Sequence, residues 1–457
     1  MTNPGELRLT KSLAGAALLL ALVAWATAPR NITPSAFRDI GETFFPDFQD
    51  PNEANTLEVI EFDDATAAAR PFKVTNRNGL WTIPSHHDYP ADGEDRLAKT
   101  AAGVIGIVKE DIRGDNVADH GSLGVIDPLD ETATTLVGRG KRVTLRGEGE
   151  TVLADFIVGN EIENRTGYHF VRVPGQKRVY TAKLDVDIST KFEDWIKQDL
   201  IEVEQSKIQS VTLRDYSINE RTLMVDDRDT LELAREDSDW TANRMPASRE
   251  IDTTKMNTFL TDLTGLAIVG VRPKPEGLTE NLRQVAEGEG MPITRADVIE
   301  LQNRGYYFTR TGELLSNEGE LQVRTDDGIV YTLRFGEVLY GTGEAISAGA
   351  TDPGQGDGPG ENRYLFITAE YERPAEPPQP ANRDFENKDP SDFSDADREN
   401  QRLANEHAAW ERGVEEATER AASLGSRFGR WYYVISDESF KKVRLSRDDL
   451  TKSKDSA

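Results

Sequence analysis

The apolar pattern of Leu57–Phe62 reads as a half-buried strand, and a second strand is predicted at Pro71–Thr75. A turn then carries the chain into Gly79-Leu80-Trp81-Thr82. Beyond Asp92, a helix N-cap by residue type, Leu97, Ala101, Val104 and Val108 recur at helical spacing. The same order returns downstream. Strands are predicted at Ile208–Leu213 and Leu231–Leu233, a turn strand at Asp239-Trp240-Thr241, and a helix after Asp252 bearing Met256, Phe259, Leu260, Leu263 and Leu266. Trp81 and Trp240 are offset by 159 residues, Asp92 and Asp252 by 160, and Ile107 and Ile268 by 161. Three landmarks agreeing this closely mark an internal repeat.

The later halves also correspond. Arg142–Arg146, Leu153–Gly159, Tyr168–Val173 and Val179–Ala182 are strands leading to a helix around Lys191–Leu200. Leu321–Arg324, Gly328–Gly336, Tyr364–Thr368 and Tyr432–Ile435 are their counterparts. The predicted fold class is α+β: two tandem repeats of a mostly antiparallel sheet with packed helices, at 56–205 and 206–450, after one N-terminal membrane helix. The second copy carries a Gly-rich loop (341–362) and an acidic helical insertion (374–428), and 451–457 reads as a disordered tail. A helix from about Ala396 to Phe428 presents Leu403, His407, Trp410, Val414, Ala417, Ala421, Leu424 and Phe428 at strict 4, 3 spacing. Leu403, His407, Trp410, Val414, Ala421, Leu424 and Phe428 are the candidate partner-binding residues. Packing on the second copy's own sheet is the competing account of the stripe.

Leu13–Ala28 is free of charge and follows Arg8 and Lys11, the pattern of a signal anchor over 1–30. Ala26-Thr27-Ala28 offers a cleavage sequence, but Pro29 after it disfavours the cut, so an uncleaved helix is expected. The chain would then be held in the inner membrane through residues 13–28 by a single pass, with its bulk in the periplasm or extracytoplasmic space. Residues 31–55, rich in Pro, Asp and Asn, read as a linker.

With 54 Lys and Arg against 81 Asp and Glu, the 457-residue chain carries a net charge of −27, which opposes binding to nucleic acid. The absence of cysteine excludes disulfides, thiolate metal sites and Cys nucleophiles. His86-His87-Asp88 is the only clustered ligand chemistry, but neighbours on a strand point to opposite faces, so a polar loop is the better reading. Gly354–Gly360 lacks the Lys-Ser/Thr and following helix of a phosphate loop. Asp352, Asp357 and Glu361 lack the oxygen spacing of an EF-hand, and no G-x-S-x-G occurs. No catalytic residue, cofactor or metal site is predicted. Trp81 and Trp240 are expected to be mostly buried core anchors.

The chain resembles bacterial envelope proteins carrying the domain of unknown function numbered 4340. The resemblance rests on the N-terminal anchor, Leu57–Phe62, Gly79-Leu80-Trp81-Thr82 with Pro84, and Tyr89-Pro90-Ala91-Asp92. It continues through His120-Gly121-Ser122-Leu123-Gly124 with Asp127-Pro128, Phe156–Gly159, Tyr168–Val173, Val179-Tyr180, Gly305–Phe308 and Gly328–Tyr331 with Phe335-Gly336. That family is similar to genes beside ABC transporters of the gliding-motility type. The resemblance therefore implies a non-enzymatic accessory or scaffold subunit of an ABC-type export or motility system, with protein partners in the envelope. An extracytoplasmic hydrolase acting on a glycan or peptide is the alternative.

Overall fold

The computed structural model describes residues 39–454 apart from 65, 187, 220, 287, 289, 342 and 350–359. The predicted anchor and half of the Gly-rich loop lie outside the described residues. Among the described residues no helix is long and apolar enough to cross a membrane.

Strands β1 (Thr56–Asp63), β2 (Ala68–Arg77), β3 (Leu80–Ile83), β4 (Tyr89–Pro90), β5 (Asp111–Gly114), β6 (Lys141–Arg146), β7 (Val152–Glu161), β8 (Tyr168–Arg172) and β9 (Val179–Lys183) form one sheet. Their order is β4-β3-β2-β1-β6-β7-β8-β9-β5. Further strands are β10 (Ile208–Asn219), β11 (Met224–Glu236), β12 (Asp239–Ala242), β13 (Arg249–Ile251), β14 (Gly270–Pro273), β15 (Tyr306–Phe308) and β16 (Leu314–Ser316). After them come β17 (Glu320–Thr325), β18 (Ile329–Tyr340), β19 (Glu361–Tyr371), β20 (Trp431–Ser436) and β21 (Thr451–Ser453). A second sheet has the order β12-β11-β10-β17-β18-β19-β20-β14.

With β4 set aside, the two sheets have one strand order, and the strand after the first long helix closes the far edge in each. Those helices are α1 (Glu94–Ile105) and α2 (Thr253–Thr264); α3 (Arg295–Asn303), α4 (Asp395–Phe428) and α5 (Asp437–Val443) follow. The hairpin pairs β6–β7, β7–β8, β17–β18 and β18–β19 and the edge pairs β5–β9 and β14–β20 are all antiparallel. The fold is α+β.

Compact units do not follow the predicted boundary at 205/206. Among the described residues one unit comprises 39–54, Ile60–Ala69 and Lys99–Val186; the other comprises Asn55–Val59, Arg70–Ala98 and 188–454. Aromatic packing within the second unit accounts for the reassignment of Arg70–Ala98. Tyr89 meets Trp431 edge-on at 5.0 Å, and His86 stacks flat on Phe192 at 4.3 Å.

Four expectations need correction. Residues 39–54 are no free linker: Phe44 and Phe48 are buried, Phe44 packs edge-on to Tyr180 at 5.3 Å, and the Phe44 amide donates to the Ile107 carbonyl. The helix expected around Lys191–Leu200 is only a 3-10 turn, Phe192–Trp195, whose Trp195 is fully buried. Trp81 and Trp240 do occupy equivalent places, opposite Asn76 on β2 and Arg235 on β11, but both are half-exposed because each sits near a sheet edge with one face in solvent. The tail is ordered over Thr451–Ser453, where β21 pairs antiparallel with β13.

Candidate functional site

The first unit carries a groove of about 700 Å³ built on the segment between β5 and β6. Asn116 caps the 3-10 turn Val117–Asp119 by accepting from the Ala118 amide, and the helical turn His120–Leu123 follows directly. Gly124 ends that turn at φ +70°, where its amide donates back to the Gly121 and His120 carbonyls. Leu123 and Val125 are then buried against Ile157 and Val179, which fixes the floor. Gly138, at φ +85°, lies so close to the Gly121 carbonyl that a Cβ would meet its oxygen at 2.2 Å. Within His120–Gly124 it is Gly124 that the backbone requires, since its φ is positive and a Cβ there would meet Asn160 Oδ1 at 2.5 Å.

Arg139 organises the outer loop. Its Nη1 donates to the carbonyls of Asp127 (3.1 Å), Pro128 (3.3 Å) and Asp130 (3.0 Å), and its Nη2 to that of Ala133 (3.1 Å). The same guanidinium lies 4.2 Å from the Phe62 ring centroid. Around this hub Val117, Leu129, Leu136 and Val137 are 55%, 47%, 44% and 71% exposed, and Val117 and Leu129 line the groove. Val117 and Leu129 thus give the groove an exposed apolar lining.

The groove's charges are unequal. Arg142 is spoken for: it grips Asp155 with Nε at 2.9 Å and Nη2 at 2.6 Å, and reaches Asp127 at 3.1 Å. Asp130 is held below the usual carboxylate range by the Thr132 hydroxyl and amide that donate to it. Arg172, on β8, is only 6% exposed and donates to carbonyls alone, Nε to Val125 at 2.9 Å and Nη1 to Gln176 at 3.0 Å. Burial pulls its pKa below the ordinary arginine value. Among the described residues its Nη2 has no hydrogen-bond partner. His120 donates from Nε2 to the Lys177 carbonyl at 2.9 Å; the Lys177 side chain is exposed and has no carboxylate partner among the described residues.

The sequence-predicted stripe lies elsewhere, in the second unit on α4, a helix begun by a Ser394–Asp397 capping box. Ala417, Leu424 and Phe428 are buried, and Leu403, His407, Trp410, Val414 and Ala421 are half-buried. The helix packs on β19 and β20, and Phe428 meets Tyr433 edge-on at 6.1 Å. The Arg373 guanidinium lies 4.5 Å from the Trp410 ring centroid, and His407 Nε2 lies 3.0 Å from Glu376. The chain's own strands and the segment entering the insertion thus cover much of the stripe.

His86 and His87 do not share a site: His86 Nε2 is 2.9 Å from the Ser347 hydroxyl, whereas His87 Nε2 faces the Ala348 carbonyl at 2.8 Å. Among the described residues no group of three His, Asp or Glu side chains could hold a metal. Asp352 and Asp357 lie outside the described residues, and Glu361 is near Lys441.

Sequence reasoning missed Val117, Leu129, Arg172 and Lys177. The available signal was an arginine in the middle of the apolar strand Phe170-Val171-Arg172-Val173.

Residues 81–284 match the model of the family described as Domain of unknown function (DUF4340). The matched stretch contains the whole groove and ends before Gly305–Phe308, so the resemblance drawn on later residues has no counterpart in it. No curated protein and no solved structure matches the chain.

Proposed function

We propose that this is a non-enzymatic, membrane-anchored extracytoplasmic protein that docks partner proteins through the 117–139 loop, as an accessory or scaffold subunit of an ABC-type export or motility system. The observation that carries the reading is the exposed pair Val117 and Leu129 lining a groove inside the region matching the family model, with Leu136 and Val137 exposed on the same 117–139 loop. Anchoring rests on the Leu13–Ala28 segment and its preceding cations. The transporter context rests on the resemblance alone.

The hydrolase alternative has one observation on its side, the His86–Ser347 hydrogen bond. Its imidazole is 2% exposed and its other nitrogen faces the Ser85 hydroxyl at 2.9 Å, so no carboxylate orients it as a base.

The lack of cysteine makes the topology easy to test. A Val137→Cys chain should be labelled by a membrane-impermeant maleimide once the outer envelope is permeabilised, with the inner membrane intact. Labelling only after lysis of the inner membrane would refute the extracytoplasmic placement.

A further inference from the structure

Resting on that docking reading, the geometry points to the chemistry of the docked segment: an extended stretch of a partner protein with one acidic side chain between apolar residues, its carboxylate received by Arg172 Nη2. Arg172 is more than nine-tenths buried, and its bonded nitrogens are held by carbonyls that leave its charge uncompensated by any direct ion pair. A guanidinium has five N–H donors, and those of Nη2 have no described protein acceptor although the residue lines the groove. Nη2 is open to the groove rather than sealed from water, and a carboxylate is the acceptor that best matches its donors. Lys177 stands at the same groove as a second cation, while the neighbouring Arg142 is already satisfied by Asp155 and Asp127.

The apolar flanks follow from Val117 and Leu129, which line the same groove and are exposed. A single acid rather than an acidic run follows from the receivers: of the groove's three cations Arg142 is held by Asp155 and Asp127, so Arg172 is the one buried guanidinium left to meet a carboxylate. Asp130, at the same groove without an ion pair among the described residues, disfavours further acids beside it.

The test uses the full chain in detergent and two fluorescent, acetylated and amidated peptides of sequence Leu-Val-Glu-Leu-Val and Leu-Val-Gln-Leu-Val, followed by anisotropy. The Glu peptide should bind about tenfold more tightly than the Gln peptide. Arg172→Met should bring the two within about twofold, chiefly by weakening the Glu peptide. If circular dichroism shows that Arg172→Met does not fold, the exposed Lys177→Met carries the test, with the Glu preference reduced about threefold. Equal affinities in the wild type, or a Glu preference that survives in folded Arg172→Met, overturn the carboxylate assignment and leave the docking reading standing. Binding of neither peptide, or displacement of the Glu peptide by inorganic phosphate, also overturns it. The docking reading itself fails separately, if the groove contacts no partner in membranes.

Discussion

Replacing Arg139 by methionine removes the hub of the 127–135 loop while keeping a side chain of similar length against Phe62. The structure gives four donations to carbonyls between 3.0 and 3.3 Å, plus a longer one to Thr135 at 3.4 Å. A bond from a charged donor is worth about 1.5–3 kcal/mol when partly buried, but these carbonyls sit near water and three share one nitrogen. Scaling for both, the loop should lose about 3 kcal/mol of local stability, or roughly a hundredfold in its opening equilibrium. Strands β6 to β9 keep their ladder, so global unfolding should move by less than about 1 kcal/mol. The assay is native-state hydrogen exchange. The amides of Ile126, which donates to Gly138, and of Leu129, which donates to the Asp127 carboxylate, should exchange about a hundredfold faster, with β7 amides unchanged. Arg139→Lys should fall between, since an ammonium cannot span the same carbonyls. Unchanged protection at Ile126 and Leu129 would show that the loop does not depend on Arg139 and would remove the physical basis for its outward apolar set.

Other perturbations have distinct expectations. Trp195→Ala deletes a fully buried indole whose Nε1 donates to the Ser189 carbonyl at 2.9 Å, and denaturant melts should show a loss of about 3–5 kcal/mol in the second unit. His86 is held down at about 4, chiefly by burial, against an ordinary 6.5. The unfolded chain thus binds its proton first, and the stability from neutral His86 is complete above pH 6.5 and falls as pH drops toward 4. The loss should be about 2 kcal/mol by pH 5, absent from His86→Gln, and equal pH profiles for the two chains would contradict it. Val414→Glu puts a charge into the half-buried stripe of α4, and a fall of about 2–4 kcal/mol in the second unit's stability is expected if the stripe belongs to the chain's own packing. Gly138→Ala collides with the Gly121 carbonyl and strains a positive φ, so the groove segment should melt early by hydrogen exchange.

Period and punctuation made much of the fold legible. The repeat offsets at Trp81/Trp240 and Asp92/Asp252 correspond to one strand order in two sheets, because the same alternation and caps recur in the same sequence. Contacts that cross between the repeats' segments were not legible. Tyr89 read as a helix-opening motif, yet its ring packs on Trp431, more than three hundred residues later. Residues 39–54 read as part of a linker because Pro, Asp and Asn recur through 31–55, while three phenylalanines decide their fate.

The groove was half visible. His120–Gly124 stood out as a motif, but what it supplies is the turn at Gly124 with its positive φ. Arg172 is 53 residues further along the chain than Asp119, and only the β7–β8 hairpin brings its strand beside that segment. The α4 stripe was legible as a stripe but not its occupant, since heptad spacing is the same whether a helix faces a partner or its own sheet.

The central claim, docking through the 117–139 loop, is tested most directly by site-specific photocrosslinking in native membranes. A photoreactive side chain at Leu129 or Val137 of the full chain should give one shared adduct, identified by mass spectrometry as a subunit of a membrane transporter. The adduct should weaken with Arg139→Met and be missing when the crosslinker is placed at the equally exposed Met224 of β11. No adduct at Leu129 or Val137, or the same adducts from Met224, would contradict the account.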